Sequence, residues 1–300
     1  MNKKICVILC TRNGEEYLAH QVESILSCQN NIDIYVNDDC STDKTYSILT
    51  KYSSKLKKVT QKRYSSPAKN FIGTLQSVEE NYDYYAFSDQ DDLWHEEKVN
   101  KGLFSLDNYP TNMPALYCSR TKLIDKFGKF MGYSPLFKKN PCFQNALVQS
   151  LAGGNTMLFN NETKKLLDQI DISKGIVSHD WLTYLLVSCK DGYIFYDSNA
   201  YLSYRQHEKN LIGSNNNFLA KIKRLVLLIK GNFYLWTDSN IVHLKNLNIP
   251  EHNLEILNEF KKVKSNKIFT RIKGLRNSGV FRQHFFSDIM LFLATVLKKL

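Results

Sequence analysis

The sequence predicts an α/β fold: a Rossmann-like, mostly parallel sheet flanked by helices, followed by a basic helical region. Three observations predict it. Short β-rich runs alternate with helix-patterned stretches in the first third, each such run ends in a polar or acidic turn, and the basic charge gathers near the end of the chain. Strands separated by helices of this length form βαβ units and hence a parallel sheet. With 43% apolar and 12% aromatic residues, the 300-residue chain has enough material for a full core, which excludes a disordered chain.

The opening MNKKICVILCTRNG has a short basic head and an apolar run of six that passes straight into polar residues, so it reads as a first strand and not as a signal peptide. A helix over Glu15 to Ser27 follows, then the strand IDIYV, a helix over Thr42 to Ser53, the run KVTQ, a helix over Ala68 to Glu80 and the strand YYAF. A further helix is expected over Glu96 to Phe104. From Ala115 the pattern is less regular, with short strands in ALYCSR, NTMLFN and YIFYD. Seven cysteines, at 6, 10, 28, 40, 118, 142 and 189, form no CxxC pair and sit mostly in apolar stretches, the usage of reduced, buried thiols in a cytosolic protein.

Ligands of open parallel sheets sit beyond the carboxyl ends of the strands. There the sequence places Thr11-Arg12-Asn13-Gly14-Glu15, then Asn37-Asp38-Asp39, then Ser88-Asp89-Gln90-Asp91-Asp92. Asp89 and Asp91 are two apart, so on a strand continuing past Phe87 they would face one side and share an ion. Carboxylate oxygens without neighbouring Cys or His favour Mg2+ or Mn2+, which commonly keep positions open for substrate phosphates. A solvated acidic loop, or a helix start stabilised by Asp91 and Asp92, would read the same from these residues alone. The run SHDWLTYLL places Asp180 ahead of an amphipathic helix, where a plain N-cap is the alternative to a chemical role.

The segments ILCTRNGEEYLAHQVESIL, IYVNDDCSTDKT and AFSDQDDLW, in that order, resemble the family 2 glycosyltransferases of the GT-A fold, most of all the bacterial polysaccharide branch that includes rhamnosyltransferases. The resemblance runs from about Ile5 to Gly213. It implies a nucleoside diphosphate sugar donor, with Thr11, Asn13 and Glu15 lining the nucleotide pocket and Asp39 holding the base or ribose. Arg12 departs from the tyrosine common at its place. The resemblance also implies a divalent ion on Asp91 first and Asp89 second, with Asp92 nearby, and makes Asp180 the catalytic base of an inverting transfer. In YRQHEKNLIG it assigns Arg205 to the diphosphate and His207 to the metal or diphosphate. The loop LAGGNTMLFN, with Gly153, Gly154 and Asn155, together with Trp181, falls on the acceptor side. The reaction implied is hexosyl transfer to a saccharide, including lipid-linked ones, in capsule or O-antigen synthesis. A nucleotidyltransferase would carry a glycine-rich basic loop after the first strand, and CTRNGEEY has one glycine and two glutamates. A non-catalytic sugar-nucleotide binder would have no need to keep the DxD pair, Asp180 and Arg205 together.

Residues 215–300 hold 15 Lys and Arg against 5 Asp and Glu, leaving a balance of only +1 for residues 1–214. The division expected is a catalytic domain over 1–214 and a basic helical region over 215–300. Within that region FLAKIKRLVLLIK reads as an amphipathic basic helix of the kind that lies on an anionic membrane surface, the alternative for residues 215–300 being a helical subdomain packed on the catalytic body with an ordinary solvated basic face. Ile289 to Leu297 are nine mostly apolar residues, too few to span a bilayer. The localisation expected is cytoplasmic, peripheral on the inner face of the membrane, with no nucleic-acid partner.

Overall fold

The computed structural model describes residues 3–208 and 231–300. Strand β1 (Lys4–Thr11) lies within the sheet, paired in parallel with β2 (Asn31–Asp38) on one side and β4 (Tyr84–Ser88) on the other; β2 pairs in parallel with β3 (Lys58–Thr60). Beyond β4 the sheet becomes mixed. β4 pairs antiparallel with β8 (Leu158–Asn160), β8 antiparallel with β6 (Ala115–Asp125), β6 parallel with β9 (Tyr193–Gln206), and β9 antiparallel with the short β5 (Leu93–Trp94). Strand β7 (Phe130–Tyr133) folds back on β6 as a hairpin. The expected parallel order therefore holds for β3-β2-β1-β4, and antiparallel strands complete the sheet.

The side-chain alternation of β1 splits the core into two layers. Ile5, Val7 and Leu9 face α1 (Leu18–Leu26), α2 (Thr45–Lys51) and α4 (Lys98–Leu106), with Leu18, Val22, Ile25 and Leu49 packed in that layer. Cys6, Ile8 and Cys10 face α3 (Pro67–Gln76), α6 (Asn161–Asp168) and α7 (His179–Cys189). Both faces being covered explains why the run is apolar throughout and not alternating.

The second layer extends into the C-terminal helices α8 (Asn232–Val242), α9 (Glu251–Lys261), α10 (Ile268–Ser278) and α11 (Phe285–Val296). Phe233, Ile241, Leu257, Phe260 and Leu291 share one apolar cluster with Leu182 and Leu185 of α7 and with Ala146 of the short helix α5 (Phe143–Ala146). The described part of the C-terminal region thus has no core of its own and docks on the body. The boundary expected at 214/215, the helix FLAKIKRLVLLIK and the end of YRQHEKNLIG lie outside the described residues.

Several elements differ in length from their sequence patterns. α1 begins at Leu18 because Tyr17 and Leu18 donate their N–H groups to the Gly14 carbonyl, forming a turn first. α2 begins at Thr45, where the Asp43 carboxylate accepts from the Thr45 N–H. β9 runs to Gln206 through the polar stretch DSNAYLSYRQ, held by its ladders with β6 and β5. All seven cysteines are free thiols.

Candidate active site

β4 ends at Ser88, so the segment Asp89–Asp92 is a bend and not the continuing strand expected. Three tethers hold that bend. Gln90 bridges to the loop after β1: its Oε1 accepts from the Arg12 N–H at 2.8 Å and its Nε2 donates to the Arg12 carbonyl at 3.0 Å. Gly14 has to lack a side chain here, since a Cβ would stand 2.3 Å from Gln90 Oε1. Asp92, 1% exposed, accepts from Asn155 Nδ2 at 2.6 Å and from the Arg205 N–H at 3.1 Å. The third tether is β5, which pins the chain after Asp92 to β9 through Leu93–Ser203 and Trp94–Leu202 pairs.

The same strand brings Arg205 and His207 to the bend. Arg205 is buried; its Nε donates to the Asp91 carbonyl at 3.0 Å and its Nη1 to the Lys126 carbonyl at 3.2 Å. His207 Nε2 lies 2.8 Å from Asp91 Oδ2. Tyr17 packs against both, its ring 4.6 Å from the Arg205 guanidinium carbon and stacked on the His207 imidazole at 5.1 Å. The fork of Arg205, expected on a diphosphate, is thus engaged with main-chain carbonyls and holds the acidic bend in place.

Asp180 sits in the first turn of α7, two residues after the N-cap Ser178, and its Oδ1 accepts from the Trp181 N–H at 2.6 Å. A carboxylate there is favoured by the helix dipole. Its charge reaches Asp89: burial first, then the charges of Asp91 and Asp180, together push the Asp89 carboxyl up to about 7. Asp92 is also raised, by burial first and then by Asp91 and Asp89. Beneath them Lys98 is 2% exposed, lies 3.7 Å over the Trp94 ring and is pushed down to about 7 by burial, with Asp92 opposing the shift. Next to Asp180, burial keeps His179 neutral, down to about 4; its ring stacks on Phe71 at 3.9 Å and its Nε2 has no hydrogen-bond partner among the described residues. A Cβ on Gly154 would meet that Nε2 at 2.0 Å, which explains the glycine.

The residues expected around the nucleotide occupy the neighbouring rim, but as struts of the loops. Thr11 Oγ1 donates to Asp38 Oδ1, Asn13 Oδ1 accepts from the Thr42 N–H, and Glu15 Oε2 accepts from the Lys44 N–H. Asn13 and Cys40 adopt positive φ, 49° and 57°, so both loops turn sharply. Asp39 is 4% exposed and accepts from the Tyr64 and Ser65 N–H groups, with Arg12 Nη1 at 3.5 Å.

Two residues expected on the acceptor side are internal. Trp181 is buried, and its Nε1 donates to the Ala146 carbonyl at 2.6 Å while its ring packs on Phe233, so it belongs to the core. Asn155 is 4% exposed and committed to Asp92. Gly153 and Gly154 form the turn that carries it. The sequence reading placed Asp38 and Gln90 on the rim without a role and missed Tyr17 and Lys98, for which it held no signal.

Among the described residues, no three His, Cys, Asp or Glu side chains close on one point. What converges is the pair Asp91 and His207, with Asp89 close enough to feel Asp91. Such a set fits Mg2+ or Mn2+, which is characteristically held by one or two carboxylates with the rest of its shell left to water and phosphates. A cation there would also offset the crowding that raises Asp89 and Asp92.

A parallel sheet whose carboxyl-end rim carries paired carboxylates, completed by antiparallel strands that bring in a basic strand end, is the GT-A architecture of sugar transferases. The sequence profile of Glycosyl transferase family 2 matches residues 6–160, more than half of the chain, and the chain belongs to that family. It is accordingly a glycosyltransferase. The dTDP-rhamnosyl transferase RfbG of Shigella flexneri is 29% identical over 244 residues, covering 75% of this chain and 80% of that protein. The putative teichuronic acid biosynthesis glycosyltransferase TuaG of Bacillus subtilis is 26% identical over 230 residues, 72% of this chain and 84% of that protein. Among solved structures, S. aureus TarS 1–349 in complex with UDP-GlcNAc superposes with a TM-score of 0.60 at 21% identity, covering 92% of this chain and 80% of that one. The Pyrobaculum calidifontis mannosyltransferase PcManGT, in complex with GDP-Man and Mn2+, gives 0.57 at 12% identity, over 100% and 86%. At these identities the structures speak for the fold.

Proposed function

We propose that this glycosyltransferase is inverting and metal-dependent, moving a sugar from a nucleoside diphosphate sugar to a saccharide acceptor in the synthesis of a cell-surface polysaccharide. The observation that carries the reading is the pairing of Asp91 with His207 at the rim where the charges of Asp91 and of Asp180, from α7, both reach Asp89. Asp180 is the base that takes the proton of the acceptor hydroxyl. The hydroxyl oxygen then bonds to the anomeric carbon as the bond to the diphosphate breaks on the opposite face, through an oxocarbenium-like state. A positioned carboxylate typically contributes about 10² to 10⁴-fold. A Mg2+ or Mn2+ ion on Asp91, with Asp89 and His207 beside it, would supply positive charge for the departing diphosphate. Arg205 and Asp92 act as positioning residues, fixing the bend on which that charge is gathered.

The loops after β1 and β2, braced by Thr11, Asn13, Glu15 and Asp39, form the wall toward the nucleotide. The turn at Gly153 and Gly154 lies toward the acceptor. Given the similarity to RfbG, dTDP-rhamnose is the first donor to try. Contact of the basic C-terminal region with the inner membrane surface, where lipid-linked acceptors reside, completes the reading. Among the described residues no helix is long and apolar enough to cross a membrane.

Thermal-shift titration with dTDP-, UDP- and GDP-sugars, with and without Mn2+, tests the donor and metal together. A stabilisation that needs both nucleotide and metal is expected, equal to RT ln(1 + [L]/Kd). Silence from every donor in the presence of metal would overturn the reading.

A further inference from the structure

Helix α11 packs inward through Leu291, Ala294 and Thr295. Its other side carries Phe285 (73% exposed), Phe286 (79%), Ile289 (41%), Phe292 (45%) and Leu293 (42%), with Leu297 (58%) just past its end. These positions recur three and four apart, so they form one outward stripe about 18 Å long with no polar member. Phe269 (85%) and Ile268 (40%) are exposed at the start of α10, whose Arg271 donates to the Thr295 carbonyl at 2.8 Å and to the Val296 carbonyl at 2.6 Å at the far end of α11. An uncovered apolar surface of this kind marks a contact with something else.

The surrounding charge says with what. With Arg271 buried and Lys262 and Lys264 paired to Glu259 and Asp238, residues 261–300 still hold seven other Lys and Arg against a single acid, Asp288. That acid is already paired with Lys139 at 2.8 Å. Lys267, Lys273, Arg276 and Lys298 are exposed. A two-fold contact between copies would set this basic rim against itself, whereas an anionic bilayer would neutralise it while taking up the aromatic stripe. We propose that the outer face of α11, with Ile268 and Phe269, lies in the interface of an anionic lipid bilayer and holds the cleft near the membrane. This deepens the membrane part of the proposed function and gives it a location outside residues 218–230, where the sequence pattern alone had put it.

Co-sedimentation of the full chain with vesicles of phosphatidylglycerol and phosphatidylcholine, against phosphatidylcholine alone, tests the proposal with no donor or acceptor present, so it can fail while the transferase chemistry stands, and the reverse. Binding to the anionic vesicles that weakens with salt is expected. Two variants, Phe286→Ser with Phe292→Ser, and Phe285→Ser with Leu293→Ser, should each lower vesicle affinity at least tenfold with little change in melting temperature, since Phe285 and Phe286 are mostly in solvent and Phe292 and Leu293 nearly half so. No binding by the unaltered chain, wild-type binding by either folded variant, loss only on Lys221→Glu with Lys223→Glu, or a dimer that these serines dissociate with no effect on vesicles would each overturn it.

Discussion

The strands that flank β1 both end in acidic turns, Asn37-Asp38-Asp39 after β2 and Asp89-Gln90-Asp91-Asp92 after β4, and the two are built in opposite ways. The first is satisfied. Asp38, fully buried, accepts from Thr11 Oγ1, from the Ser41 N–H and hydroxyl, and from Gln61 Nε2, while Asp39 takes two backbone N–H groups. The second is crowded. Asp89 and Asp92 are raised by burial first and then by the neighbouring carboxylates, Asp92 accepts from Asn155 and the Arg205 N–H, and Asp91 meets His207. Hydrogen bonds turn a buried carboxylate into a brace, whereas carboxylates left facing each other store a demand for positive charge. The first turn holds the shape of the rim and the second has work to do there.

The largest effect expected separates chemistry from both turns. Asp180→Asn should cut turnover by about 10² to 10⁴-fold while leaving melting temperature and donor affinity near wild type. Wild-type turnover would remove Asp180 from the role of base. The comparison itself breaks if the two turns respond alike. Asp38→Ala should cost about 1–3 kcal/mol in urea unfolding, because four donors lose a buried acceptor. Asp91→Ala should cost less than that without metal, because the lost His207 contact is offset by relief of Asp89 and Asp92, and should abolish metal-dependent donor binding. Equal losses of stability in the two variants would mean that the second turn is a brace as well.

The pH dependence sharpens the same contrast. The Asp89 carboxyl keeps its proton in the folded chain up to about pH 7, against an ordinary value of 3.8. Folded protein therefore binds more protons than unfolded chain between those pH values, and stability falls as pH rises through the window. Asp89→Asn removes the titration, so in EDTA the stability of the variant minus that of wild type should grow from pH 4 to pH 7. Added Mn2+ should flatten the difference, and a difference independent of pH would contradict the assigned crowding. The smallest effect concerns the tether. Gly14→Ala should cost about 1 kcal/mol, since Gln90 must give up its two bonds to Arg12 to make room for the methyl group.

The order of strands and helices through β4 was legible because each element there has its own period, with β1 apolar on both faces and α1 and α3 apolar on one. β9 was cut short in the reading for the reverse reason. DSNAYLSYRQ has no strand-like alternation of apolar and polar residues, and it is extended because ladders with β6 and β5 supply its hydrogen bonds. Asp89, Asp91, Asp180 and His207 could be singled out through the family resemblance of the segments that carry them, since carboxylates at a strand end or a helix start serve equally well as braces and caps, as Asp38 and Asp39 do here. That Trp181 and Asn155 are buried and bonded internally was not legible, because burial is not written in spacing.

By itself, then, the sequence determined the α/β class, the acidic rim at the strand ends and the basic character of the last third, all of which depend on local pattern and composition. Tertiary structure alone decided that Arg205 and Gln90 tether the acidic bend, that Tyr17 packs on Arg205 and His207, and that α11 turns its aromatic stripe outward. Those outcomes depend on contacts between residues dozens to more than a hundred positions apart, where no local propensity acts and only packing chooses the partner.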